Sequence, residues 1–355
     1  MFTTARFNRD RVTILSVAQS RTNDSLTTLL APLAALYRAA TSARNAYFRL
    51  NRSAARQAAI AVVSVGNLTV GGSGKTPLVA EIARRLIALG RRPAILTRGY
   101  AAPPGQEADE VLEYRETLPD VPVVVNPDRV AGASEARERH SVDCVILDDG
   151  FQHRRLARDL DIVVIDALDP WGGGWVLPAG RLREPRSGLR RASLAILSRR
   201  NQINASQLAS IESEIRRIAP QVPILRAITE VTALIDDRDK PVALDSIAGH
   251  SILPVCGLGN PATFELALRS VATRVAPAMR FPDHHSYSPR DWDRIQRAAA
   301  TGGAELIVTT GKDWVKLRRL ASAADKAAAR FACLRVRATI ADPDGELTRR
   351  LERLR

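Results

Sequence analysis

An α/β fold built on a parallel sheet follows from three features of the 355-residue sequence. Short, wholly apolar, β-branched runs recur along the chain, as strands buried on both faces require. Segments with apolar residues at helical spacing separate them, so helices carry the chain across the sheet between strands. One run, Val62-Val63-Ser64-Val65, leads through Gly66-Asn67-Leu68-Thr69-Val70 into the turn Gly71-Gly72-Ser73-Gly74, and Lys75-Thr76-Pro77 opens the helix after it. The length exceeds what one hydrophobic core usually serves. The pattern divides into a basic, amphipathic helical segment at 1–58, a core at 59–228 and a smaller αβα unit at 229–355.

In the first segment, Leu26, Leu29, Leu30, Leu33, Leu36, Tyr37, Ala40 and Tyr47 recur at helical spacing over 25–52, with Arg38, Arg44, Arg49, Arg52 and Arg56 interleaved or following. Such a helix either lies in a bilayer interface, arginines on anionic headgroups, or packs on the protein's own sheet; the sequence leaves both open. From residue 60 the strand runs are 60–65, 93–97, 121–125, 142–147, 162–165 and 194–197, with helices at 77–89, closed by Gly90, and at 207–218. Residues 222–234 connect the halves. A second alternation follows, with strands at 252–256, 278–281, 306–309 and 332–336 and helices at 263–273, 289–300 and 314–321. In an open α/β protein the junction of the halves is where a substrate is held.

Hydrophobic residues at 45% and charged residues at 25% are the composition of a globular protein. Lysine and arginine outnumber aspartate and glutamate by 52 to 38, and the net charge of +14 selects an anionic partner: nucleic acid, lipid headgroups or a phosphorylated substrate. Aromatic residues are only 5%, and no RNA-binding or zinc-finger signature accompanies the charge, which disfavours nucleic acid. Cys144, Cys256 and Cys333 each fall in a strand run without zinc-type spacing, and read as buried small hydrophobes in a reducing compartment. After arginines 6, 9 and 11 the apolar run 12–18 is short for a secretory signal, and no stretch approaches the roughly 20 apolar residues that span a bilayer. These features predict a cytoplasmic protein that touches a membrane surface, with no obligate protein partner evident.

The glycine-rich turn has the chemistry of a phosphate-binding loop. Glycines let consecutive backbone amides converge on a polyphosphate, and the helix after them adds the positive end of its dipole. Thr69, Val70, Gly71, Gly72, Ser73, Gly74, Lys75 and Thr76 would cradle ATP, with Lys75 reaching the β- and γ-phosphates and the Thr76 hydroxyl holding Mg²⁺. The strict pattern has glycine where Thr69 stands. After the apolar run Val145-Ile146-Leu147 come Asp148, Asp149 and Gly150. A carboxylate at such a strand end is either the Mg²⁺ ligand of a phosphoryl-transfer site or part of an Asp-Asp-Gly turn.

The following residues, Phe151-Gln152-His153-Arg154-Arg155-Leu156, extend the pattern. With Asn67-Leu68-Thr69-Val70-Gly71-Gly72-Ser73-Gly74-Lys75-Thr76, Thr97-Arg98-Gly99-Tyr100, Leu177-Pro178-Ala179-Gly180-Arg181-Leu182-Arg183-Glu184-Pro185 and Phe281-Pro282-Asp283-His284-His285, the chain resembles the tetraacyldisaccharide 4'-kinase (lipid A 4'-kinase) family in order, over about residues 26 to 320. The resemblance accounts for Thr69, since the loop as it stands looks like that family's own. It implies a P-loop NTPase-like core and transfer of the ATP γ-phosphate to the 4'-hydroxyl of a tetraacyl glucosamine disaccharide 1-phosphate, at the inner face of the cytoplasmic membrane. It also implies a peripheral location there.

By the same resemblance Lys75 and Thr76 serve the phosphates and Mg²⁺, and Asp148 and Asp149 form the acidic pair beside the metal. Asp109 is similar to the family's aspartate near the acceptor hydroxyl, and His284 to the histidine that pairs with it. Alone, Asp109 reads as a solvated loop carboxylate, and Asp283-His284-His285 as a polar turn before a helix capped by Ser288. Tyr100, Arg129, His153, Arg183 and Glu184 would surround the disaccharide and its 1-phosphate, arginine being suited to grip phosphate oxygens with its planar fork. The chain departs from the family pattern at Gly311, where an acidic residue is usual, at Ala108, and in Asp169-Pro170-Trp171-Gly172-Gly173-Gly174-Trp175. Two other readings stand beside this one. A nucleotide switch or metallochaperone-type NTPase would share the loop but carry a further lysine where Val70 stands. A membrane-binding protein with a decayed site would not keep Lys75, Thr76, Asp148 and Asp149.

Overall fold

A computed structural model describes residues 24–99, 107–322 and 329–354. Helix α1 (Asp24–Leu50) is followed by β1 (Ala61–Asn67), α2 (Lys75–Ala88), β2 (Pro93–Thr97), α3 (Asp109–Thr117), β3 (Val123–Val125), α4 (Arg129–His140), β4 (Cys144–Asp148), β5 (Leu160–Asp166), β6 (Leu194–Ser198) and α5 (Ala205–Ile218). Next come β7 (Ile224–Asp236), β8 (Pro241–Val242), β9 (Ser251–Cys256), α6 (Pro261–Arg269), β10 (Arg274–Val275), β11 (Met279–Arg280), α7 (Pro289–Thr301), β12 (Leu306–Thr310), α8 (Gly311–Ser322), β13 (Arg330–Ala341) and α9 (Glu346–Glu352).

The strands join into one sheet in the order β10-β9-β12-β13-β7-β6-β5-β1-β4-β2-β3, with β11 beside β9 and β8 beside β7. Every ladder is parallel except those of β7 with β13 and with β8. β1, β4, β5 and β6 are buried at every residue, which is why their sequences are continuous apolar runs rather than alternating ones. Helices cover both faces. On the first half, α2 lays Leu78, Val79, Ile82, Ala83 and Leu86 on one face, and α1 and α5 cover the other with Leu30, Ala34, Leu208 and Ile215. On the second half, Trp292 and Trp314 of α7 and α8 lie on one side and Phe264 and Leu268 of α6 on the other.

The stretch predicted to connect the halves, 222–234, is largely β7, which pairs antiparallel with β13 through a register shift at Arg335/Val336. The sequence division assigned 229–355 to the second unit. Ala338, Ile340, Leu347, Leu351 and Leu354 at the end of the chain pack into the first half's core instead. Arg85 of α2 pins this return, donating to the Ile340 carbonyl (2.5 Å) and approaching Asp342 (3.7 Å). The predicted helix at 25–52 is α1, and it answers part of the open question. Leu30, Ala34 and Tyr37 pack on the protein, while Leu29, Leu33 and Leu36 are 74%, 56% and 69% exposed. No helix among the described residues is long and apolar enough to cross a membrane. The three cysteines are buried in β4, β9 and β13, and burial pushes each thiol up to about 12.

Candidate active site

β1 lies between β4 and β5 at the point where the strand order turns, and the chain leaving it forms the phosphate loop there. Gly74, the residue before α2, has φ +75°, a left-handed conformation that a side chain would resist, and it turns the loop into the helix. Val70 donates to the Arg181 carbonyl (2.8 Å), and Thr69 pairs with Leu182, so the loop is braced by the segment that follows the tryptophan- and glycine-rich insertion. Lys75 turns back over the loop, its Nζ donating to Asn67 Oδ1 (3.0 Å) and lying 3.3 Å from Asp149 Oδ1.

The acidic pair divides its roles through the backbone. Asp148 ends β4, and its carboxyl is 6% exposed beside Tyr114; burial pushes it up to about 6 against the pull of Lys75. No salt bridge to Asp148 forms among the described residues. Asp149 has φ +55°, which swings its side chain the other way, onto Lys75 and onto Arg183 Nη1 (2.5 Å). Burial alone would raise the Asp149 carboxyl; Lys75 and Arg183 outweigh it and hold it down at about 2. A buried carboxylate without a salt-bridge partner has the hard oxygen chemistry that suits a divalent ion, and Asp148 with the Thr76 hydroxyl would hold it. Among the described residues no group of three His, Cys, Asp or Glu side chains is placed to hold a metal by itself.

The second half reaches across the loop. A Cβ on Gly259 would stand 3.7 Å from the Gly72 amide nitrogen, 3.8 Å from Gly71 Cα and 3.2 Å from Asp283 Oδ2. Asp313, fully buried, shapes this approach by accepting from Gly257 N (2.9 Å), Thr310 Oγ1 (2.7 Å) and Tyr287 Oη (3.0 Å). His284 has φ +60° and puts Nδ1 3.3 Å from Asp109 Oδ2, at the first residue of α3. Lys316 Nζ also donates to Asp109 Oδ2 (2.9 Å), and Lys312 Nζ lies 3.2 Å from His284 Nε2. The hydrogen bond to Asp109 raises the His284 value. Asp109 is raised by burial but lowered more by His284 and Lys316. Between the halves is a cavity of about 1510 Å³, lined by the loop, the acidic pair, His284 and Lys312, and larger than one small-molecule ligand requires. Of five non-glycine residues with left-handed backbone among the described residues, Asp149, Arg199, Asp239 and His284 line it. Such conformations collect where surrounding structure enforces them for function.

The residues expected around the acceptor meet different fates. Arg129, 3% exposed, reaches the cavity while donating to the Asn126 carbonyl (2.7 Å). His153 lines the cavity too, and burial together with Arg129 pushes its imidazole down to about 4. Arg183 lines it through Asp149. Glu184 does not line it: at 2% exposure it is enclosed by Arg191, Gln152 and Asn45, which satisfy both its oxygens. Through Asn45 and Gln152, Glu184 links α1 to the strand that carries the loop. Tyr100 lies outside the described residues. Sequence reasoning passed over Lys312, Lys316 and Gln152, although Gln152 stands inside the Phe151–Leu156 motif, Lys312 beside Gly311, and Lys316 one helical turn beyond Lys312. It also passed over Tyr37, Thr41 and Arg44, one face of α1 that walls the cavity.

Comparison with known proteins finds relatives along most of the chain. Residues 26–354 match the family model for tetraacyldisaccharide-1-P 4'-kinase. Among curated relatives, tetraacyldisaccharide 4'-kinase of Anaeromyxobacter dehalogenans (strain 2CP-C) is 39% identical over 298 residues, 79% of each chain. That of Anaeromyxobacter sp. (strain Fw109-5) is 36% identical over 343 residues, 91% of each. A crystal structure of LpxK from Aquifex aeolicus in complex with ATP superposes with a TM-score of 0.70 at 28% identity, covering 92% of this chain and 99% of that one.

Proposed function

The chain belongs to the tetraacyldisaccharide 4'-kinase family, and from that membership we propose how its residues perform the reaction. The protein is an ATP-dependent kinase that transfers the γ-phosphate to the 4'-hydroxyl of a tetraacyl glucosamine disaccharide 1-phosphate in lipid A biosynthesis. The observation that carries the assignment of roles is the meeting of Asp109 and His284, 3.3 Å apart and from opposite halves, with His284 lining the same cavity as Lys75 and the acidic pair.

In this reading the amides of 69–74 and Lys75 hold the ATP phosphates, and the Thr76 hydroxyl and Asp148 hold Mg²⁺, which when bound neutralises charge on the phosphoryl oxygens. Asp149 keeps Lys75 and Arg183 in place rather than ligating the metal. Asp109 accepts a hydrogen bond from the 4'-hydroxyl and takes its proton late, since a loose transition state asks little of a base. Its depressed basicity, set by His284 and Lys316, suits orientation better than early deprotonation. Lys312 brings positive charge to the same side, and contact with Asp109 favours the charged form of His284, so the site completes only when the halves are together. Arg129, His153 and Arg183 face the disaccharide and its 1-phosphate, and Tyr100 is assigned there by resemblance alone.

Leu29, Leu33 and Leu36 lie at helical spacing on the exposed side of α1, whose Tyr37, Thr41 and Arg44 wall the cavity. This supports peripheral binding at the inner face of the cytoplasmic membrane, acyl chains following the apolar stripe while the sugar enters the cavity. Division into a kinase core at 59–228 and a smaller unit from 229 belongs to the proposal, with 338–354 returned to the core. A nucleotide switch is disfavoured by Val70 and by the absence of a ligand cluster among the described residues. The test is incubation with γ-labelled ATP, with and without the acylated disaccharide, followed by thin-layer separation. Label should enter the lipid and ATP turnover should require it; lipid-independent hydrolysis with unlabelled lipid would reject the reading.

A further inference from the structure

We propose that Ser198, Arg199 and Asp166 form a positioning clamp that holds the Gly72 and Ser73 carbonyls and so fixes the shape of the phosphate loop around the phosphates. The proposal presupposes the loop's role given above. When a peptide turns its amide toward a phosphate, its carbonyl points the opposite way and needs a donor of its own there. Two consecutive loop carbonyls find donors on two consecutive residues; behind the Ser73 carbonyl the Gly74 amide faces the loop's interior, while behind the Gly72 carbonyl the Ser73 amide closes a tight turn onto the Gly71 carbonyl (3.0 Å). The Ser73 carbonyl accepts from Ser198 Oγ (3.0 Å), and the Gly72 carbonyl accepts from Arg199 Nη1 (3.3 Å) and Nη2 (3.2 Å). Ser198 ends β6, and Arg199 follows it at φ +57°, the turn that aims its side chain back at the loop. The guanidinium also backs Gly74, where a Cβ would stand 3.5 Å from Nη2. Asp166, buried at the end of the neighbouring β5, pairs with Arg199 Nη1 and is itself fixed by Leu168 N, which donates to Oδ1 (3.1 Å). With its charge matched by Asp166 and its Nη atoms spent on a carbonyl, Arg199 acts as a rigid double donor to the loop, not as a phosphate-binding cation.

The test compares ATP and inorganic tripolyphosphate, which shares the phosphates but not the nucleoside. Arg199→Lys keeps the charge and loses the fork. It should raise the KM for ATP and the inhibition constant of tripolyphosphate by the same factor, about tenfold for a lost carbonyl bond. The kcat should stay within about twofold and the KM for the lipid should not move, the signature of lost binding shared by ground and transition states. Asp166→Asn should act likewise, and the double variant should be no worse than the weaker single one, because both work through one carbonyl. An unchanged KM for ATP in Arg199→Lys, or effects that multiply in the double variant, would overturn the clamp. So would a rise for ATP without one for tripolyphosphate, which would make Arg199 a reader of the nucleoside. Should Arg199→Lys fail to fold, Ser198→Ala removes one donor and should raise both constants about threefold; unchanged constants overturn the proposal. Failure of tripolyphosphate to compete on the unsubstituted chain would instead reject the loop reading itself.

Discussion

Replacing Gly259 measures how closely the second half must approach the phosphate loop. An alanine Cβ there would stand 3.2 Å from Asp283 Oδ2 and 3.7 Å from the Gly72 nitrogen. Only the Asp283 contact is tight, and it is to a carboxylate that needs to shift by a few tenths of an ångström while keeping Lys312 (2.5 Å). Gly259→Ala should therefore stay within about threefold of the parent kcat/KM, a surface-scale effect. Valine adds carbons about 1.5 Å beyond Cβ. With Cβ already 3.2 Å from Asp283 and 3.7 Å from the loop, a methyl carbon directed to either is relieved by an opening of about 1 Å between the halves. Misplacement on that scale costs about a hundredfold in rate, or about 2.7 kcal/mol of transition-state stabilisation. The assay is steady-state phosphorylation of the acylated disaccharide, with ATP affinity measured in parallel by calorimetry, since the loop itself is untouched. If Gly259→Val kept the parent rate, or if alanine cost as much as valine, the argument from approach of the halves would fail.

Other outcomes follow from the same geometry. Lys75→Ala and Asp148→Ala should each lower turnover by about a hundredfold or more, measured as labelled product, because each removes charge opposed to the transferring group; parental turnover in either refutes its role. Contact with Asp109 raises the His284 value above 6.5, so the charged ring contributes stability that is complete below pH 6.5 and is lost as pH rises through the raised value. The difference in thermal midpoint between the parent and His284→Gln should thus shrink from about pH 6 to about pH 9, and a constant difference would count against the pair. Asp109, held below 3.8, keeps its share until pH falls through its own lowered value. Glutamates at Leu29, Leu33 and Leu36 together should reduce sedimentation with anionic vesicles without changing the thermal midpoint; undiminished sedimentation would remove the stripe as an anchor. The thiols, pushed up to about 12, should resist an aromatic disulfide reagent at about pH 8 until the chain is unfolded, as colorimetric titration would reveal.

Local signals in the sequence reached far into the first half. Fully buried parallel strands must be apolar throughout, so β1, β2, β4, β5 and β6 are legible as runs, and Gly71 to Thr76 can serve one purpose between a strand and a helix. α3 and α4 escaped because their charged sequences carry little apolar periodicity; α4 is set by Asp128, which accepts from Val130 N (2.9 Å) and Ala131 N (3.3 Å). Glu184 is assigned to the substrate by resemblance, and only packing reveals that Arg191, Gln152 and Asn45 enclose it.

Residue order by itself determined the loop, the acidic pair at the end of β4 and the alternation of strands with helices, since each depends on neighbours within one strand and turn. Tertiary structure decided which partners those groups acquired. Asp148 and Asp149 are adjacent in sequence, yet a left-handed turn leaves one buried beside Tyr114 and sends the other to Lys75 and Arg183. Asp109 and His284 stand 175 positions apart, and no local pattern encodes their contact; it exists because β7 and β13 carry the second half back over the first, and long-range pairing is a property of the packed chain.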